Sequence, residues 1–205
     1  SQPAFTHDLA EQLASKLDEI TPDGIDTFFY ANSGAEITEA AVKLAKQATK
    51  RRHIVVFSGS FHGRTHMAMA MTTSKTGYRS GYSSLPAGIF VASFPDPLAV
   101  DQEAEIARAL KGFDHLLLSQ TAPAETAAVI MEPVLGEGGY VPAPKAFIEG
   151  IAARCREHGI LFIADEVQSG FGRTGTWFAV DQFDLQPDII CMAKGIASGF
   201  PFSAL

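Results

Sequence analysis

The lysine at position 194 is the residue whose setting is hardest to explain as structure alone. It follows the apolar run Ile189-Ile190-Cys191-Met192-Ala193 and precedes Gly195. Most lysines are solvated surface charges. One held in an apolar cleft has a depressed pKa and becomes an amine nucleophile competent for Schiff-base chemistry. A second apolar run, Ile160 to Ala164, leads straight into Asp165-Glu166-Val167-Gln168. Acids are common where a buried strand re-enters solvent. Asp165 stands first after the run, however, and a partly desolvated carboxylate requires a cationic partner; a pyridinium nitrogen would serve.

Three further stretches join these two. Ala31-Asn32-Ser33-Gly34-Ala35-Glu36 places Ser33 and Glu36 at capping-box spacing, with Gly34 allowing close backbone approach. Such a helix start is either a well-capped terminus or a phosphate site. Ser60-Phe61-His62-Gly63-Arg64-Thr65 offers an aromatic face for a flat heterocycle and a guanidinium for a carboxylate. His62 and His66 are four apart, yet no Glu lies between them as in HExxH and no third ligand is evident, so no metal site is expected. Glu132-Pro133-Val134-Leu135-Gly136-Glu137-Gly138-Gly139 puts two acids in a Gly-rich turn, expected to open onto a cleft and suited to acid/base work or to holding an arginine. Gly170 to Gly175 matches GxGxxG literally, but five residues separate it from the preceding strand and no helix comes after it, so dinucleotide binding is not expected.

These residues need elements to position them. Short apolar runs alternate with amphipathic stretches, which predicts an α/β architecture with a mainly parallel sheet. Strands are expected at Asp26 to Tyr30, His53 to Phe57, Ile89 to Ser93, Ala127 to Met131, Ile160 to Ala164 and Ile189 to Met192. Helices are expected at Phe5 to Ile20, Gly34 to Lys50, Val100 to Leu110 and Lys145 to His158. Open parallel sheets bind ligands beyond the carboxyl ends of their strands, where every motif above falls. The Gly- and Pro-containing stretch from Thr72 to Gly88 is long for a connection, and is either a binding loop or a surface excursion.

Composition limits the functional classes. A formal net charge of -7 argues against general affinity for nucleic acid or anionic membrane. No apolar run is long enough to span a bilayer. Two cysteines in apolar surroundings do not make a disulfide framework, and a reducing cytoplasm is expected. The chain opens without Met and stops in mid-pattern, which reads as an internal segment of a longer protein.

The five motifs, in this order and spacing, resemble the class III (ω-) aminotransferases, fold-type I enzymes dependent on pyridoxal 5'-phosphate (PLP), over essentially the whole chain. The matching stretches are NSGAE at 32–36, FHGRT at 61–65, EPVLGEGG at 132–139, DEVQSGFGRTG at 165–175 and PDIICMAKG at 187–195. The resemblance implies that residues 1–205 are the PLP-binding large domain, truncated at both ends, with a seven-stranded type of sheet; the C-terminal small domain is absent. It implies that Ser33, Gly34 and Ala35 bind the PLP phosphate, that Phe61 and Val167 cover the two faces of the ring, and that His62 belongs to the same cofactor set. Asp165 would pair with the ring nitrogen and Gln168 with the phenolic oxygen. Lys194 would hold the cofactor as a Schiff base and shuttle the proton.

The stretch at 71–95 resembles 4-aminobutyrate aminotransferases in particular. By that resemblance Arg64, with Glu132 and Glu137, would serve the substrate, and Glu137 would neutralise a second arginine lying outside this chain. The implied reaction is transfer of an amino group from an ω-amino acid to a 2-oxo acid such as 2-oxoglutarate, by a homodimer with shared active sites. The same motifs fit an acetylornithine or ornithine aminotransferase, an aminomutase or a decarboxylase, or a catalytically silent PLP-binding module. Leu135 departs from the family, which usually has Gln there.

Overall fold

A computed structural model describes residues 7–82 and 84–205. Along the chain run α1 (Asp8–Asp18), β1 (Tyr30–Ala31), α2 (Gly34–Thr49), β2 (His53–Phe57), α3 (His66–Met71), β3 (Ile89–Ala92) and α4 (Gln102–Ser119). After these come β4 (Thr126–Met131), β5 (Val134–Leu135), β6 (Val141–Pro142), α5 (Lys145–His158), β7 (Leu161–Asp165), β8 (Ile189–Cys191) and β9 (Ser203–Ala204). Five strands form a sheet in the order β3-β2-β4-β7-β8, every neighbouring pair parallel. The expected α/β architecture is found, with five strands in the main sheet among the described residues.

The apolar runs form these strands because both faces of the sheet are covered. Side chains alternate between two cores. Val55, Phe57, Val129, Met131, Phe162 and Ala164 join the core that holds Phe113 and Leu116 of α4 and Phe147, Ile148 and Ile151 of α5. Ile54, Val56, Ala128, Ile130, Ile163 and Cys191 join the core that holds Ile37, Ala41 and Val42 of α2 and Ala68 and Met71 of α3. Cys155 and Cys191 are both buried and unpaired. No described helix is long and apolar enough to cross a membrane.

Several elements differ from expectation, the unexpected short strands β5, β6 and β9 among them. The strand predicted over Asp26 to Tyr30 does not enter the parallel sheet. Its end instead pairs antiparallel with β9, Tyr30 opposite Ala204, and β9 is tied to the end of β8 by the Met192–Ala204 bridge. Phe28 and Tyr30 pack on the core while Phe29 is 56% exposed, so this edge segment has one wet face. The helix predicted over Val100 to Leu110 continues to Ser119. Gly112 weakens the local propensity, but Phe113, Leu116 and Leu117 carry the buried stripe onward and packing prevails. α3 was not expected. Its start is capped from another element: Glu39 of α2 accepts from the amides of Met67 (3.0 Å) and Ala68 (3.2 Å). Phe5, where the first helix was expected to begin, lies outside the described residues.

Candidate active site

Four strand ends and one helix start converge on a cavity of about 330 Å³. That lies within the range of roughly 300–1,000 Å³ typical of small-ligand sites. The helix start is α2. Ser33 Oγ accepts from the Glu36 amide and donates to Glu36 Oε2 at 2.8 Å, while the Asn32 amide donates to the same carboxylate. Hydrogen bonds from Ser33 and then Asn32 hold the Glu36 carboxyl below its usual range. The capping box is therefore formed, and it leaves the Gly34 and Ala35 amides, the first two of the helix, without intrahelical acceptors. A Cβ at Gly34 would sit 2.8 Å from Val167 Cγ1, so glycine is what lets the helix start and the β7 loop close together around the cavity. Gly63 does the same from the β2 side: its φ is +127°, and a Cβ there would meet Ala35 Cβ at 2.6 Å.

Beneath this rim lies a buried polar group. Asp165, at the end of β7, is 3% exposed; its Oδ2 is 2.6 Å from His62 Nδ1 and its Oδ1 accepts from the Val167 amide. Burial alone would lower the pKa of His62. The hydrogen bond and charge of Asp165, with the charge of Glu132, outweigh it and hold the imidazole above its ordinary value. Within the chain, the partner that buried Asp165 meets is thus His62. His62 Nε2 is buried and has no hydrogen-bond partner.

Glu132, at the end of β4, was expected in a turn open to a cleft and is instead 5% exposed. Its two oxygens accept from the Phe61 amide (2.7 Å) and the Gly136 amide (2.9 Å), binding the β2 and β4 loops together. Burial, opposed by the charge of His62 and reinforced by that of Asp165, pushes its carboxyl up to about 7. Leu135 is 4% exposed and belongs to the first core, which accounts for an apolar residue at that position.

Lys194 follows β8 in the left-handed region, φ +49°, a conformation uncommon for residues other than glycine. The apolar cleft expected around it is not found: the residue is exposed, and its Nζ donates to Gln168 Oε1. The cavity thus brings together Ser33, Gly34, Ala35, Phe61, His62, Glu132, Asp165, Val167, Gln168 and Lys194. Arg64 and Glu137 are not in its lining.

These two are linked to it through Tyr78, a residue that no motif or spacing singles out. The ring of Tyr78 meets Phe61 edge-on at 5.0 Å, its hydroxyl donates to Glu137 Oε2 at 2.6 Å, and Arg64 Cζ lies 4.8 Å from its centroid. The Glu137 hydrogen bond, with partial burial and the Glu137 charge, raises the Tyr78 pKa against the opposing charge of Arg64. The Thr72 to Gly88 stretch is thus no mere surface excursion, since it reaches the rim of the cavity. Asn32, Ala193, Phe200 and Phe202 also line the cavity and were not anticipated. Only the position of Asn32, beside a capping serine, offered any signal. His66 starts α3 and is exposed, apart from buried His62, and no three metal-ligating side chains gather among the described residues.

The arrangement suits a flat heterocycle carrying an anionic arm and a reactive carbonyl. The free amides at the α2 start could take such an arm, Phe61 and Val167 could cover the plane, and the buried His62–Asp165 pair and the Lys194 amine line the same cavity.

Residues 1–205 match the family described as aminotransferase class-III. A probable 4-aminobutyrate aminotransferase of Bacillus subtilis is 41% identical over 199 residues, covering 95% of this chain and 46% of that protein. A 5-aminovalerate aminotransferase of Pseudomonas putida is 40% identical over 195 residues, covering 95% of this chain and 45% of that protein. The solved taurine:2-oxoglutarate aminotransferase of Bifidobacterium kashiwanohense, in complex with PLP and glutamate, superposes with a TM-score of 0.90 at 32% identity, over 98% of this chain and 47% of that one. The chain spans less than half the length of the curated relatives it matches. It belongs to the class III aminotransferases, a PLP-dependent family.

Proposed function

We propose that the protein transfers the amino group of an ω-amino acid of the 4-aminobutyrate type to a 2-oxo acid such as 2-oxoglutarate, and that this chain is its PLP-binding large domain. The observation that carries the reading is the Lys194 amine, held by Gln168 at a cavity also lined by the free start of α2 and the buried Asp165. PLP, when bound, supplies an electron sink that stabilises negative charge at the carbon bearing the substrate nitrogen. The residues of the chain divide the remaining work. The Ser33, Gly34 and Ala35 groups at the α2 start bind the phosphate. Phe61 and Val167 flank the ring and exclude water from its faces. Asp165, backed by His62, holds a proton at the ring nitrogen. Gln168 orients Lys194, whose Nζ takes and returns the proton at the substrate carbon. Arg64 binds the donor carboxylate, and Glu137 neutralises a second arginine that lies outside this chain.

The similarity to 4-aminobutyrate and 5-aminovalerate aminotransferases at nearly equal identity supports an ω-amino acid donor. The same reading takes the protein to be a cytoplasmic homodimer; the two unpaired, buried cysteines are compatible with a reducing compartment.

The test is spectroscopic and chemical. Holoenzyme should absorb in the visible, shift on addition of 4-aminobutyrate, and form glutamate from 2-oxoglutarate in stoichiometric exchange. Lys194→Ala should lose the visible band. A protein that shows no such band after PLP is supplied refutes the reading. Turnover of the amino acid that proceeds without a 2-oxo acid would point instead to a decarboxylase or mutase.

A further inference from the structure

We propose that Glu166 is a positioning residue for Lys194: it closes the 166–180 loop into a brace that holds the lysine backbone in its left-handed turn and the amine against Gln168. The proposal rests on the reading of Lys194 given above. A non-glycine residue at φ +49° persists only where its surroundings over-determine it. Two such restraints come from this loop. On one side, Gln168 Oε1 accepts from Lys194 Nζ. On the other, Phe171 backs the next residue, since a Cβ at Gly195 would lie 2.9 Å from Phe171 Cβ. Phe171 is itself left-handed, φ +57°, and its ring meets that of fully buried Phe178 edge-on at 5.5 Å. Glu166 ties this loop at its start and at its end. One carboxylate oxygen accepts from Ser169 Oγ, beside Gln168, and the other from the Val180 amide at 2.8 Å, beyond Phe178. The backbone of Glu166 adds two more ties: its carbonyl accepts from the Gly170 amide and its amide donates to the Cys191 carbonyl of β8, both at 3.0 Å. Closing a loop alone calls for an apolar side chain, which is buried without the cost of a carboxyl. The carboxyl adds direction, fixing the Gln168 and Phe178 ends of the loop relative to each other. Glu166 lines neither the cavity described above nor the neighbouring one between Tyr140 and Arg173. It therefore acts on the amine through Gln168 and Gly195.

An amine that takes and returns a proton is sensitive to its placement, and an error of about 1 Å can cost on the order of a hundredfold in rate. Glu166→Ala removes both side-chain ties. In that holoenzyme, kcat with 4-aminobutyrate and 2-oxoglutarate should fall at least about tenfold while both KM values stay within about twofold. The pH at which the visible band titrates should move by about one unit, because the nitrogen of Lys194 is no longer held in one setting. Glu166→Gln, whose amide accepts from Val180 and donates to Ser169, should restore both readouts. Ser169→Ala cuts a single tie and should lower kcat about threefold, which keeps the test open should Glu166→Ala fail to fold. Val180→Ala loosens the same core but keeps the amide that Glu166 holds, so its kcat and its band should match the parent. An unchanged kcat and band titration in Glu166→Ala, or in Ser169→Ala where the former does not fold, overturns the proposal. So does a Val180→Ala holoenzyme as impaired as Glu166→Ala, since loss of packing would then suffice, or a Glu166→Gln holoenzyme that is not rescued. In each of these cases the reading of Lys194 survives. If Lys194→Ala keeps the visible band, that reading fails and the proposal with it.

Discussion

Glu166 is the acid beside Asp165, fully buried and outside the cavity lining. One carboxylate oxygen accepts from the Val180 amide at 2.8 Å and the other from Ser169 Oγ, so it fastens the loop after β7. Burial, only partly offset by these hydrogen bonds, pushes its carboxyl from the ordinary 4.5 up to about 7. The folded protein thus binds this proton more tightly than the unfolded chain. The stabilisation is fully present below about pH 4.5 and is lost as pH rises through about 7. At about 1.4 kcal/mol per pKa unit, the loss amounts to about 3 kcal/mol. Glu166→Gln keeps an acceptor for Val180 and gains a donor for Ser169, yet carries no charge. Urea unfolding followed by circular dichroism should therefore give nearly equal stabilities for the two proteins at pH 5. At pH 8 the variant should be more stable by about 3 kcal/mol. Glu132, whose carboxyl is also pushed up to about 7, is present in both proteins and cancels in the difference. A stability difference that does not change between pH 5 and pH 8 would refute the reasoning, since it would mean that the buried carboxyl does not titrate between those limits.

Two other substitutions probe the cavity floor and rim. Gly34→Ala puts a methyl 2.8 Å from Val167 Cγ1, so either the α2 start or the ring-facing valine must shift; PLP affinity measured by fluorescence titration should fall about tenfold, about 1.4 kcal/mol. His62→Phe leaves the buried Asp165 without the imidazole partner it now has at 2.6 Å. Unfolding at pH 7 should show a loss of about 3–5 kcal/mol, the range for breaking a buried pair on one side.

The sheet was legible because its strands are covered on both faces and so appear as continuous apolar runs, as in Ile54 to Phe57 and Ala127 to Met131. α2 and α5 were legible because their own caps are local: Ser33 with Glu36 at one start, and Gly159 in the left-handed region at one end. What escaped was set by distant partners. α3 is capped by Glu39 from another helix, and the pairing of β1 depends on Ala204 at the far end of the chain. The cavity residues fall at strand ends, where a parallel sheet requires them, so the residues just beyond each apolar run pointed to Asp165, Glu132 and Lys194. The burial of Glu132 had no such pointer. Its acceptance of two backbone amides from separate loops is a tertiary fact with no spacing to betray it. Tyr78 was missed for the same reason, since its three partners lie on two other segments.

The pairing of Tyr30 with Ala204 has a consequence for the order of events during synthesis. The strand that leads into α2 emerges from the ribosome early, and its hydrogen-bond partner emerges only after Lys194. Until then the Phe29 amide and carbonyl, which bond Leu205 in the folded chain, lack that partner, and the lysine segment is held through the pairing of β8 with β7. This clasp between the two sides of the cavity therefore closes only after the lysine segment has been made. A nascent chain arrested before Ser203 has the residues that line the cavity here and still lacks the clasp between β1 and β9.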